Sequence, residues 1–327
     1  MNRNLCKKVI TNGGELIPLI IESTKTNGMG LMNPSIFNDN GKLILNLRHV
    51  NYTLCHCENE QLFNNRYGPL VYLNPENDIT LTTTNYLCEL DSDLSIKNSY
   101  KVDTSKLDVK PLWEFIGLED VRLFRWDGKL YQCGVRRDTT TNGIGRMELS
   151  EIVYDNNTIK EISRERIPTV NNIESYCEKN WMPIIDIPYH FVKWTNPVEV
   201  VRYDIINKIT ETIYIGKEVN PTIPDFRGGS QVINYGEYRI ALVHEVDLLN
   251  NRLGQKDANY RHRFLVFNKE WDIVRYSDPF SFMDGNIEFS CGMTIYNDDL
   301  LISFGFQDNA AYLLKVPENL IHDIIFN

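Results

Sequence analysis

Long apolar runs are missing from this 327-residue chain. The longest, such as residues 16–21, fall far short of the roughly 20 residues that a membrane-spanning helix needs. No hydrophobic stretch follows the first basic residues, so a secretory signal is not expected and the chain reads as cytoplasmic. Positive charge is also in short supply. With 34 Lys+Arg against 44 Asp+Glu, a net charge of −10, the chain lacks the broad positive field that duplex nucleic acid or an anionic membrane would require. Cysteines are few and odd in number, seven in all. Their closest grouping, Cys55-His56-Cys57, is too tight for the usual two-thiolate zinc knuckle, so buried thiols and no metal are expected. The two Asn-x-Thr sequons, at Asn51 and Asn156, carry little weight without a secretion signal. No glycine-rich loop opens a helix, so neither a P-loop nor a dinucleotide fold is supported, and no cofactor is expected. Arg227-Gly228-Gly229-Ser230 is a tight backbone approach, and Asp91-Ser92-Asp93 reads as a solvated turn. Amphipathic helices are scarce, the best being the tail segment 317–325.

What remains is strand. Short β-branched and aromatic segments recur between Asn/Asp/Gly turns, and residues 36–47 and 121–133 each read as two strands around a turn. Aligned by their first strands, five segments repeat at intervals of roughly 50 to 80 residues. They begin near residues 33, 117, 178, 227 and 288, and their return strands are 42–47, 129–133, 190–194, 238–244 and 300–304. Each unit opens with small or charged residues before its apolar run. A β-sandwich gives no reason for that, whereas a propeller delivers the first residues of every inner strand to one mouth of a central channel. The expected fold is all-β, a five-bladed β-propeller forming a single domain over residues 1–327. Segment 8–21 is expected to add a strand to the last blade and close the ring.

The candidate chemistry sits at those strand starts: Asn33 and Ser35; Glu119, Asp120 and Arg122; Glu178 and Lys179; Arg227 and Ser230; Glu288. Return strands and the loops after them add Arg48, Asn51 and Tyr52; Arg136 and Arg137; His244 and Glu245; Arg261, His262 and Arg263; Gln307 and Asp308. A strand buried on both faces has no physical reason to carry Glu-Asp-x-Arg, because an unpaired buried charge costs several kcal/mol. One such group could be an ion pair between neighbouring strands. The same feature repeated around a ring points to a polar ligand.

Gly117-Leu118-Glu119-Asp120-Val121-Arg122 resembles the Gly-x-Glu-Asp-Pro-Arg signature of the five-bladed mannoside phosphorylases and hydrolases of glycoside hydrolase family 130, and of the related propeller glycosyltransferases. Three further stretches are similar to later elements of that family: Glu178-Lys179-Asn180-Trp181-Met182-Pro183, Gly228-Gly229-Ser230 with the return at His244, and Glu288-Phe289-Ser290-Cys291-Gly292 with Ser303 to Asp308. The series keeps its order from about residue 33 to 315. Val121 in place of proline, Leu47-Arg48-His49-Val50-Asn51-Tyr52 and Tyr260-Arg261-His262-Arg263-Phe264 mark a divergent branch closer to glycosyltransferase-like members.

The resemblance implies an inverting transfer of a mannose-like unit, with a sugar phosphate or nucleotide sugar and a glycan acceptor as partners. It makes Asp120 the general acid, acting through a hydroxyl of the bound sugar. It makes Asp308 a ligand of the sugar and sets Lys179 and Arg122 near the phosphate and the sugar; the charges themselves add Glu288 at the sugar hydroxyls and Arg48, Arg261 and Arg263 around phosphate. A phosphorylase needs one acid and a cationic cradle for its anionic nucleophile. A hydrolase needs a second carboxylate, for which Glu178, Glu245 and Glu288 are the candidates. A glycan-binding propeller without catalysis is the alternative from another class.

Overall fold

The computed structural model describes residues 4–26, 30–53, 63–65, 68–73, 75–155, 157–216, 226–250 and 256–326. The Cys55-His56-Cys57 cluster and the sequon at Asn156 lie outside these residues. Antiparallel four-stranded meanders dominate. Glu288–Tyr296, Asp299–Phe306 and Ala310–Val316 form one, and the chain's own Glu15–Pro18 strand pairs with Ala310–Val316 as its outer member. The expected N-terminal strand is therefore present but shorter than 8–21. Its first part is instead the Leu5–Thr11 helix, started by Asn4, whose side chain accepts from the Lys7 N–H. Leu31–Asp39, Lys42–Val50, Leu81–Leu90 and Ile96–Asp103 form a second meander, and Glu119–Trp126, Lys129–Arg136, Arg146–Asp155 and Thr158–Arg166 a third. A short parallel contact of Ile159 and Lys160 with Val102 and Asp103 fuses these two at their outer edges. Met182–Pro183 through Ile209–Ile215, and Arg227–Gly228 through Ile273–Tyr276, complete the series. The tail helix is Glu318–Phe326, which buries Leu320, Ile321, Ile324 and Ile325.

The innermost strands end their sheets, and among the described residues their free edges carry only the isolated bridge of Ile184 with Val232. Buried polar side chains take up those backbone groups. Ser35 Oγ accepts from Leu123 N at 2.9 Å and donates to Cys291 O at 3.0 Å. Gln231 donates to Leu123 O at 2.7 Å and to Ile36 O at 3.2 Å, and accepts from Met293 N at 3.1 Å. Ser303 Oγ receives Ile36 N at 3.0 Å. Two serines and one amide thus tie the central strands together where apolar side chains would have left carbonyls and amides unpaired.

At the mouth end, the inner strands are deliberately irregular. The ladder shifts register between Met32 and Ser35, and again between Glu119 and Arg122. Within those bulges Asn33 and Asp120 adopt left-handed φ values of 44° and 50°, and Asn180, at 62°, does the same just before Met182–Pro183. Asn and Asp tolerate this region better than other non-glycine residues, and a bulge re-aims the side chain it carries. Neighbouring backbone passes very close. A Cβ on Gly228 would lie 2.0 Å from Asn180 O, and one on Gly305 would lie 2.4 Å from Asn33 Oδ1. Glycine is required at both positions.

Candidate functional site

The three re-aimed residues border one cavity of about 210 Å³, whose walls also carry Arg48, Tyr52, Glu119, Lys179, Arg227, His244, Tyr260, Phe289 and Asp308. Its centre is an ionic cluster. Arg48 Nη1 donates to Asp120 Oδ1 at 2.7 Å, Nη2 reaches Glu119 Oε2 at 3.3 Å, and Nε is anchored on Thr83 Oγ1 at 3.2 Å. Asn33 Nδ2 adds a second bond to Asp120 Oδ1 at 2.8 Å. Among the described residues Asp120 Oδ2 accepts no hydrogen bond, which leaves it for a ligand. Among the described residues, Asn33 Oδ1, Glu119 Oε1 and His244 Nδ1, on side chains that line this cavity, are buried without hydrogen-bond partners. A buried polar atom left unpaired costs about 1–3 kcal/mol, so three bordering one cavity are what a hydroxylated ligand would repair.

The carboxyl groups are driven apart in acidity. Burial would raise Asp120, but Arg48, Arg122, the Asn33 hydrogen bond and Lys179 prevail and hold it below the ordinary aspartate value. Burial raises Glu119, Asp120 adds to the rise and Arg48 opposes it. Asp308 is pushed up to about 6 by burial, with Asp120 and Glu119 adding and Arg48 opposing. One carboxylate that stays ionised beside one poised near neutrality is the pattern of an acid–base site. Burial foremost, then His262 and the nearby cations, keeps His244 neutral. Burial, with Asp308 and Asp120, pushes the Tyr260 phenol up to about 12, so it remains a donor.

The raised value of Asp308 sets a pH dependence of stability. The folded state holds this proton more tightly than the unfolded chain, whose value is 3.8. The group's contribution is therefore full below the unfolded value and is lost as pH rises through about 6. Asp308→Asn, which cannot ionise, should gain melting temperature relative to the native chain on going from about pH 4 to about pH 7.5. Parallel melting curves across that range would remove the assignment.

Asn33, Arg48, Tyr52, Glu119, Asp120, Lys179, Arg227, His244 and Asp308 thus meet at this cavity. The other expected residues do not line this cavity. Arg122 is fully buried and spends its guanidinium on Gly229 O and Asp120 O, both at 2.7 Å, and on Gly228 O at 3.3 Å. Glu288 accepts from the backbone of Phe282, Met283 and Gly285, so it organises a loop instead of facing a sugar. Asn51 staples its own loop, donating to Thr80 Oγ1 and accepting from Thr82 N. Arg261 pairs with Glu245 and Asp247, and Arg263 with Glu245, on the strand face away from Tyr260. His262 is packed between Phe280 and Phe282. Glu178 borders a neighbouring groove. Sequence reasoning missed Asn180, Tyr260 and Phe289. Tyr260 could have been found by alternation, since 260 and 262 must share a strand face that 261 and 263 do not. Asn180 shares the left-handed backbone of Asn33, but its Oδ1 faces Arg122 Nη2 at 3.5 Å.

No family model and no curated protein matches the chain. Solved structures do. A β-1,2-mannobiose phosphorylase from Listeria innocua superposes with a TM-score of 0.57 at 12% identity, over 94% of this chain and 96% of the other. A mannose phosphorylase from Leishmania mexicana, in complex with phosphate ion, gives 0.52 at 11% identity over 98% and 96%. A GDP-Man-dependent mannosyltransferase from the same organism gives 0.51 at 12% over 96% and 94%. At these identities the likeness is one of fold, and the chain shares the β-propeller fold of these phosphorylases and this mannosyltransferase.

Proposed function

We propose that the meanders are the blades of one five-bladed propeller, closed by the N-terminal strand, and that the chain transfers a mannose-like glycosyl unit with inversion. The donor would be a sugar phosphate or nucleotide sugar and the acceptor a glycan hydroxyl. The observation that carries this reading is Asp120: ionised, turned into the cavity by its left-handed backbone, and fixed through one oxygen while the other is free. A carboxylate held ionised is suited to take a proton from an acceptor hydroxyl as the new bond forms. In the degradative direction the same carboxyl returns that proton, by microscopic reversibility. The preference for transfer rests on residues 47–52 and 260–264, which depart from the phosphorylase pattern. Lys179 and Arg227 on the cavity wall supply positive charge for a departing phosphate.

Asp308, near 6, supports one further reading, an inverting hydrolase with Asp308 as acid and Asp120 as base. It takes the place of Glu178, Glu245 and Glu288, none of which lines the cavity. Incubating the chain with GDP-mannose, with mannose 1-phosphate, and with β-1,2-mannobiose plus phosphate, each with a mannoside acceptor, separates these readings by product analysis. Consumption of a phosphorylated donor with a lengthened glycan is expected. Release of free mannose from mannobiose without phosphate would favour hydrolysis, and silence with every substrate would leave a binding module.

A further inference from the structure

Beside the catalytic cavity lies a second groove, of about 240 Å³, and the two share a wall made of Lys179, Asn180 and Arg227. The groove adds Lys193, Trp194 and Glu178. Lys193 and Trp194 are consecutive, so a regular strand would send them to opposite faces. The ladder of His190–Thr195 shifts register between Val192 and Trp194, and the bulge lets both border the same space. Trp194 is 42% exposed, which leaves part of its indole uncovered beside the groove. Lys193 stands 3.8 Å from Glu178 and 3.7 Å from Glu199, attracted by both but hydrogen-bonded to neither. Lys179 has no ion pair or hydrogen bond among the described residues.

We propose that this groove is the leaving-group subsite for a nucleoside diphosphate, with the two phosphates spanning Lys179, Arg227 and Lys193 and the base stacked on Trp194. The proposal rests on the glycosyl-transfer reading and names its donor class. Charge decides the ligand. Three cations against the carboxylates of Glu178 and Glu199 leave a net positive charge that a neutral glycan has no use for, whereas a diphosphate meets it. An indole offers a planar base the stacking face that a sugar 1-phosphate lacks a partner for. The shared wall sets the order: sugar beside Asp120, phosphates at Lys179 and Arg227, base outermost.

Calorimetric titration of the full chain with GDP, UDP, inorganic phosphate and β-1,2-mannobiose tests this. A nucleoside diphosphate should bind the native chain, and Trp194→Ala should weaken it about tenfold while leaving inorganic phosphate unchanged. Trp194→Phe should recover most of the loss, and Lys193→Gln should weaken the diphosphate but not mannobiose. Absence of GDP and UDP binding, a change of less than about twofold in Trp194→Ala, or a Trp194 effect confined to mannobiose would each overturn the proposal. The two readings fail separately. Nucleotide binding through Trp194 without glycosyl transfer leaves the groove standing and removes the transferase. Transfer from mannose 1-phosphate without nucleotide binding does the reverse.

Discussion

Asp120→Asn should lower turnover by about 10²- to 10⁴-fold, the usual contribution of a positioned proton-transfer group, with little change in KM and an intact fold. The substitution is isosteric, and asparagine tolerates the left-handed φ of 50° as well as aspartate does. An amide oxygen can still accept from Arg48 and from Asn33, the two donors that now converge on Oδ1. What disappears is the basic oxygen Oδ2 and the negative charge opposite Arg48. A loss confined to kcat marks an interaction made in the transition state and not in ground-state binding. Alanine would be a poorer choice, because it strains the bulge and confuses folding with chemistry. Steady-state kinetics with the donor found active gives the answer, and a kcat within about threefold of native would show that another group moves the proton.

How much of this could be read beforehand differs between fold and site. All five return strands, 42–47, 129–133, 190–194, 238–244 and 300–304, lie within observed strands, because turn residues and alternation are local signals. The N-terminal helix was hidden, since seven residues are too few to establish a period. At the site, residues at the starts of inner strands were found because a charge at the head of an apolar run is conspicuous in one dimension. Their division of labour was not. Arg48 and Arg122 look alike in sequence, yet one faces the cavity and the other is consumed by backbone carbonyls some 106 residues away. Glu288 and Asp308 differ likewise, one clasped by three amides and the other open to the cavity. Which side a polar residue serves is fixed by packing between distant strands. Lys193 escaped notice for a related reason, since a bulge that turns it to the same side as Trp194 has no compositional mark.

Arg122→Met should destabilise the chain by about 3–5 kcal/mol, the range found when one partner of a buried charged network is removed. Methionine fills much of the volume, so the cavity term is small and the effect isolates the hydrogen bonds. Those bonds run from Glu119–Trp126 to the carbonyls of Gly228 and Gly229, back to the carbonyl of Asp120, and weakly, at 3.5 Å, to Asn180 Oδ1. Without them several buried acceptors lie unpaired, and the left-handed turns at Asp120 and Asn180 lose the post between them. Arg122→Lys should recover only part, because an ammonium cannot reproduce the planar fork that serves these carbonyls together. Calorimetry should show a melting temperature lower by on the order of 4–7 °C for the methionine variant. A positioning role predicts more than instability. Arg122 is one of the cations that hold Asp120 low, so its loss should raise the Asp120 value and move the acidic limb of the pH–rate profile upward, measured well below the melting point. A variant that melts early but keeps the native acidic limb would make Arg122 a structural strut alone.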